Sequence, residues 1–459
     1  MNNFSLFYIA PLALLLSSCM MGPDFEGAPS QNLPATWVNA MPPSTSEGSL
    51  ETWWKQFNDP QLDRLIATGF ANNPDMIKAA LAINSAEAAL RSTKSSLFPT
   101  DSARMGGSNV GNSNSPTSHG QWSGSLSLAW TPDIWGGTRR EIQAAVANLG
   151  SSTAAAAATR TALASGIATT YFNWIDAKAG LIIVKKQLTY QEKTYEVVKD
   201  RVAAGFQSEL DLQQALSVIL TTRAAIPTLE AAVRNDENAL AIYLGTTIDQ
   251  IKLSMPAHQL LRREPRVPTN LPSDLLRRRP DIVQAEYNIQ ASCAKVGVAV
   301  ANLFPSISLT GNASAGSGSD FSDFFTGSTW SLGAAASSNI FNRVALNEAV
   351  NMAELSQESS VQNYRKTVLA AFAEVEAELI TYAQLVEQLP QYEASAEANK
   401  KAAELSLRLY NTGNADFLNV ATAEKAWLSA ELTVISTRQK IRQSLARLCT
   451  AMGGGYEVK

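Results

Sequence analysis

The sequence predicts an α+β membrane protein built from two internal repeats, each with two short β-strands and a long α-helical hairpin. Three observations point there. Landmarks recur at a fixed offset, a long proline-free stretch carries a coiled-coil seam, and short segments alternate polar and apolar residues between aromatics.

The duplication is read from spacing. Asn73-Pro74-Asp75 opens a helical segment ending at Leu97-Phe98-Pro99, and Arg279-Pro280-Asp281 opens another ending at Leu303-Phe304-Pro305. Pro74 to Pro99 spans 25 residues, as does Pro280 to Pro305, and the offset of 206 also matches Ser125-Leu126 to Ser331-Leu332. Farther on the offset is 208, pairing Gly205 with Gly413, Leu210 with Leu418 and Gly245 with Gly453. Repetition of this kind defines architecture before any local signal does. Repeat 1 occupies 61–250, repeat 2 occupies 279–459, and 251–278 joins them.

Strands are expected at about 100–112 and 121–132, and again at about 305–315 and 328–338. Runs such as Ser125-Leu126-Ser127-Leu128-Ala129-Trp130 put apolar residues on one face and polar ones on the other. Trp122, Trp130, Trp135, Phe321, Phe324, Phe325 and Trp330 flank these segments, where interfacial aromatic girdles of a transmembrane β-barrel sit. A soluble hairpin with a Gly/Ser loop, His119 within it, fits the same residues.

From Thr138 to Arg201 the chain is Ala-rich and free of proline. Leu181, Val184, Leu188, Gln191, Tyr195, Val198 and Val202 follow the 3-4 spacing of a coiled-coil seam, with a weaker image at Leu389, Tyr392, Ala396, Asn399, Ala403, Ser406 and Tyr410. Such a helix is on the order of 100 Å long, too long for a globular core. Gly205 breaks it, and the return helix contains Pro227, where a kink is expected.

Residues 1–18 read as a lipoprotein signal peptide: an apolar run from Phe4 to Leu16, too short to span a bilayer, ends at Ser17-Ser18-Cys19. This resembles a bacterial lipobox, which implies a covalent lipid on Cys19 and, with Met rather than Asp at position 21, sorting to the outer membrane. Segment 19–60 begins with Pro23, Pro29, Pro34, Pro42 and Pro43 and reads as an extended strap.

Composition closes off other classes. The net charge of −4 argues against nucleic acid, and two His with three Cys are too few for a metal cluster of those residues. No run of 18 apolar residues follows the leader, so no internal transmembrane helix is expected. No nucleophile elbow, P-loop or H-E-x-x-H motif occurs, so neither an enzyme nor a cofactor beyond the lipid is expected. Methionines such as Met76, Met105 and Met352 are scattered and make no case for specificity toward copper. Cys293 and Cys449 leave both a disulfide and two buried thiols open.

Four strands cannot close a barrel, and an open sheet edge in lipid leaves unpaired backbone groups. If the strands span a membrane, two, three or four chains must associate, and only the larger assemblies leave a lumen.

Trp53-Trp54-Lys55-Gln56-Phe57-Asn58-Asp59-Pro60-Gln61-Leu62, followed by Asn72-Asn73-Pro74-Asp75, closely resembles the opening of bacterial outer-membrane efflux channels. Leu271-Pro272-Ser273-Asp274-Leu275-Leu276-Arg277-Arg278-Arg279-Pro280-Asp281-Ile282 is similar to that family's signature before its second repeat. The subgroup resembled is the TolC-like lipoprotein of resistance-nodulation-division (RND) tripartite pumps. The resemblance implies a homotrimer with a 12-stranded barrel in the outer membrane, continued by a periplasmic α-helical coiled-coil barrel. It also implies an equatorial region from the termini and 251–278. The partners implied are a periplasmic adaptor (membrane fusion) protein and an inner-membrane RND-type pump, with passive exit of drugs or other small molecules.

By the same resemblance Gly205, Gly413 and the aromatic Tyr410 mark helix tips that dock on the adaptor, while Val202 departs from the aromatic pattern. Leu418 matches the position that constricts the aperture, but the acidic positions of relatives are Asn419 and Thr422 here. The acidic ring is therefore absent or shifted to Asp416 or Asp211, which predicts weak cation selectivity. A protein-secretion channel and a structural periplasmic lipoprotein with helical struts are the competing readings.

Overall fold

The structure is a computed structural model that describes residues 20–31, 34, 36–38, 50–112, 115–255, 278–317, 321–339 and 341–454. Cys19, Arg277, His258 and the expected equatorial stretch from 256 to 277 lie outside the described residues. After a short 3₁₀ helix at Leu50–Phe57, the chain forms α1 (Pro60–Asn72), α2 (Pro74–Ser95), β1 (Thr100–Asn112), β2 (Ser115–Trp130), α3 (Gly137–Ala203) and α4 (Glu209–Leu244). The second copy follows as α5 (Pro280–Ala301), β3 (Ser306–Ser317), β4 (Thr329–Ser337), α6 (Arg343–Asn411) and α7 (Phe417–Ala451).

Two compact units are present. The strand unit draws on 1–31, 81–153 and 284–366, and the helical unit on 32–80, 154–283 and 367–459.

In the strand unit the four strands form one antiparallel sheet in the order β1-β2-β3-β4. Its register sorts the side chains by face. Leu126 pairs with Ala313, Leu128 with Gly311, Trp130 with Leu309, Gly311 with Leu332 and Ala313 with Trp330, so Leu, Trp and Ala share one side. The other side carries Ser102, Arg104, Ser123, Ser125, Ser127, Ser308, Thr310, Asn312 and Ser331. Trp122 and Trp130 lie on the apolar face eight residues apart, about 27 Å along the strand. That matches the ~25 Å apolar band of outer-membrane barrels. Strand β2 begins at Ser115, ahead of the expected 121, because Gly, Ser and Asn give no alternation to read. His119 therefore belongs to β2, paired with Val110, and not to a loop.

The helical unit is anchored by the motif residues. Asp59 caps α1, accepting from the backbone N–H of Gln61 at 2.8 Å, with Pro60 at the first turn where no donor is needed. The Tyr171 hydroxyl donates to the other Asp59 oxygen at 2.7 Å, and Gln61 reaches the Ser254 carbonyl. Trp53, Trp54, Phe57 and Leu62 are buried around them.

The duplication is built into the packing of this unit. Gly245 and Gly453 both adopt positive φ, and a Cβ on either would strike a repeat-related carbonyl, that of Asn72 at 2.3 Å or of Arg278 at 2.7 Å. Asn73 Nδ2 donates to the Tyr243 carbonyl, and Arg279 Nη1, 206 positions on, donates to that of Ala451. Helix α4 runs through Pro227 and α6 through Pro390 without interruption. By length and composition α4 is apolar enough to cross a membrane. Ala215, Ile219, Val233, Leu240 and Leu244 are buried along it, whereas Leu210, Leu220 and Ile242 are exposed.

Candidate functional site

The two hairpin turns are made alike. Gly205 (φ +79°) and Gly413 (φ +77°) take the left-handed conformation that ends a helix, and open space surrounds a Cβ at either. Ser208 caps α4, accepting from the Asp211 N–H, whereas Asp416 caps α7 by position with no side-chain hydrogen bond.

Behind the turns the four hairpin helices share one apolar cluster. Val198 of α3, Ala215 of α4, Tyr410 of α6, and Phe417 and Val420 of α7 are buried together, with Tyr195, Val202, Leu212 and Leu407 packed against them. Tyr410 and Phe417 meet edge to face at 5.5 Å, and the Arg201 guanidinium lies 5.4 Å from the Tyr410 ring. Arg201 also donates to the Asn411 carbonyl, joining the end of α3 to the end of α6. Burial, with the Asp211 charge second, raises the Tyr410 phenol above its ordinary range, and its hydroxyl has no partner. A large ring at Tyr410 fills the gap between the hairpins and is fully enclosed.

The other tip residues face outward. Leu418, Asn419 and Thr422 are exposed on the first turns of α7, with the Thr422 hydroxyl donating to the Leu418 carbonyl at 2.8 Å. Phe206 and Leu210, the latter the repeat mate of Leu418, are exposed on the first hairpin. Asp416 is exposed and Asp211 half-buried. No carboxylate stands at Asn419 or Thr422.

Farther from the turns the buried stripe of α3 departs from the expected seam. Leu181, Val184, Gln191 and Val198 of that seam are buried, but Leu188 and Tyr195 are half-exposed and Gln187 and Thr194 are buried instead, so this layer of the core is polar. Glu424 of α7 joins it, 1% exposed, accepting from Thr194 Oγ1 at 3.4 Å. Burial pushes its carboxyl up to about 7. Also in the helical unit, burial raises Asp176 and Asp236 to about 6 each, the Asp176 charge adding to the effect on Asp236. Cys293 and Cys449 are both free and buried, which pushes the Cys449 thiol up to about 12. Arg279 is bound to Asp281 and Glu374 as part of the helix junction.

In the strand unit the strap is held by Arg140, whose side chain is 2% exposed. Its Nε donates to the Met21 carbonyl at 3.0 Å, Nη2 to Gly22 at 3.0 Å, and Nη1 pairs with Asp24 at 2.8 Å. Gly22 lies so close to Gly297 of α5 that a Cβ there would come within 2.4 Å of its Cα. The Met21 N–H donates to the Trp135 carbonyl, and Trp135 stacks on Phe304 at 4.8 Å. Arg140 and Glu424 escape a motif search. The repeat offsets put Leu346 and Leu216 opposite them, and that asymmetry is the signal that marks them.

Comparison with known proteins follows the same layout. The model of outer membrane efflux proteins matches residues 65–246 and 271–454, one match per repeat. The antibiotic efflux pump outer membrane protein ArpC of Pseudomonas putida is 32% identical, over 98% of this chain and 96% of its own. The probable outer membrane lipoprotein SilC of Salmonella typhimurium is 28% identical over 99% of this chain and 100% of its own. Among solved structures, the open state of the Neisseria gonorrhoeae MtrE outer membrane channel superposes with a TM-score of 0.84 at 25% identity, over 95% of this chain and 98% of that one. With two repeats, a two-faced four-stranded sheet and paired helical hairpins, the chain belongs to the outer membrane efflux protein family.

Proposed function

We propose that this outer-membrane efflux channel works as a homotrimer, in which three four-stranded sheets close one 12-stranded barrel and the helix tips receive a periplasmic adaptor beneath it. One observation carries the reading: the sheet has an apolar and a polar face, and β1 and β4 are both free edges. An exposed edge inside lipid is too costly to persist, so β4 must pair with β1 of a neighbouring copy. Helix α2 supports it, burying no residue over 22 positions, as do exposed Val344, Met352 and Leu355 on α6. A periplasmic strut would need no apolar outer face. Energy comes from an inner-membrane RND-type pump, and drugs or other small molecules pass along the polar face.

The chemistry of the strap supports lipidation of Cys19. Met20 packs on Gly136, and Met21 is bonded to Trp135, beside the aromatic belt of Trp130, Trp135 and Phe304 at the base of the strands. A diacylated residue there would enter the periplasmic leaflet directly. Arg140→Ala should free the strap, weakening its docking by about 3 kcal/mol through the two charge-assisted bonds to the Met21 and Gly22 carbonyls, the pair with the exposed Asp24 adding little. Limited proteolysis between residues 20 and 50 should speed up, and an unchanged rate would refute the clamp.

We assign the closed aperture to Leu418, flanked by Asp416, Asn419 and Thr422, with Asp211 on the first hairpin. The full-length lipoprotein in planar bilayers should show a small conductance with weak cation selectivity. Leu418→Ser should raise it severalfold, whereas an unchanged conductance would place the constriction elsewhere.

A further inference from the structure

The polar layer behind the tip has one titratable member, and its place in the repeat is occupied by Leu216 in the other hairpin. Glu424 sits on the core face of α7, one turn beyond Val420 and three residues before Trp427, both buried. On α3, Gln187, Gln191 and Thr194 are buried, Thr194 within hydrogen-bonding reach of Glu424, and Tyr190 packs edge-on against Trp427 at 5.6 Å. Thr194 Oγ1 supplies its single hydrogen bond, at 3.4 Å, and shares that one proton with the Tyr190 carbonyl at 3.2 Å, while Gln187 Nε2 and Gln191 Oε1 are without partners. A carboxylate enclosed this way lacks the donors that would replace its water, whereas a carboxylic acid needs one acceptor for its proton.

The charged and titratable neighbours do not compensate it. On α3, Tyr190 lies in the field of both Glu424 and, from α6, Glu404, so both acids act in the same sense. On α4, Arg223 is turned to Glu192 at 3.0 Å and Asp211 acts on Tyr410. On α7 itself Lys425 is exposed, and Glu431 accepts from Trp427. Among the described residues no Lys or Arg pairs with Glu424.

We propose that Glu424 is a proton-operated latch: protonated, it lets the four hairpin helices close over the tip cluster, and ionised, it draws in water and loosens them. The carboxyl holds its proton up to about pH 7 in the packed bundle, against roughly 4.3 in water. A raised carboxyl favours packing while protonated. The tip is therefore tightest below about pH 4.3, loosens by at most about tenfold per pH unit up to about 7, and changes little above that. The latch would make closure of the tip follow the pH around the helical hairpins. As a control on opening, it rests on the assignment of the aperture to the tips. As a packing device it does not.

Hydrogen–deuterium exchange on the full-length lipoprotein in detergent separates the two. The segments 187–198 and 417–430 should exchange alike in native protein and Glu424→Gln at about pH 4, and about tenfold or more faster in the native protein at about pH 8. Identical profiles at every pH overturn the latch. Should Glu424→Gln fail to assemble, Thr194→Ala removes the bond that lowers the carboxyl's proton affinity, so the native transition should move to higher pH. A transition that stays or moves down also overturns it. Bilayer conductance on the same samples tests the aperture alone: a Glu424-dependent exchange profile with pH-independent conductance keeps the latch and removes the gate from the tips.

Discussion

Replacing Trp53 by alanine is expected to lower stability by about 3–5 kcal/mol, the largest single effect available outside the hairpins. Trp53 is fully enclosed, edge-on to Trp54 at 5.8 Å and to Phe57 at 6.2 Å, and Phe57 in turn packs on Phe172 of α3 at 4.8 Å. The end of the second repeat closes over the same ring, since a Cβ on Gly454 would come within 2.9 Å of it. Truncation opens a cavity bordered by both copies, and neither can collapse into it without moving a helix. The indole Nε1 has no hydrogen-bond partner, so Trp53→Phe forfeits only packing and should cost less than half as much. Thermal loss of far-ultraviolet circular dichroism in detergent measures both. A shift for Trp53→Ala corresponding to under about 1 kcal/mol would contradict this account of the core.

Phe417→Ala should hold the channel open. Phe417 is 1% exposed and meets Tyr410 edge to face, an apolar contact joining α6 and α7 behind the turns. Removing a buried aromatic ring costs about 3–5 kcal/mol where the site cannot collapse. If the cluster parts on opening, that sum shifts the closed–open balance by about two to four powers of ten. Tyr410→Phe has the opposite sign: it deletes a buried hydroxyl without a partner and should tighten the closed tip by about 1 kcal/mol. Open-channel occupancy in bilayers reads both substitutions. Equal occupancy in native, Phe417→Ala and Tyr410→Phe channels would show that the cluster is not what keeps the tips together.

How much of this was legible in the sequence depended on whether the signal was periodic. Gly205, Gly413, Gly245 and Gly453 stood out because positive φ at a helix end leaves little choice of residue, and all four adopt it. The alternation from Trp122 to Trp130 identified a strand with two faces because lipid and water impose opposite preferences on them. It failed before residue 121, where small polar residues suit either face. The heptad reading of α3 slipped at Leu188 and Tyr195, because it assumed an apolar core where the protein buries Gln187 and Thr194. The Trp53–Leu62 motif was recognised as a family signature, but its work is structural: Asp59 caps a helix and holds Tyr171, and the aromatics fill a core. Arg140 and Glu424 carried no motif at all, being single departures from the repeat whose meaning comes only from what surrounds them.

The central claim is that one chain supplies a third of a closed barrel. Native mass spectrometry of the full-length lipoprotein, released from outer membranes in mild detergent, tests it most directly. The account predicts a trimer, the assembly in which three sheets of four strands leave a water-filled bore. A monomer, or a dimer whose eight strands would fill their own interior, would contradict it.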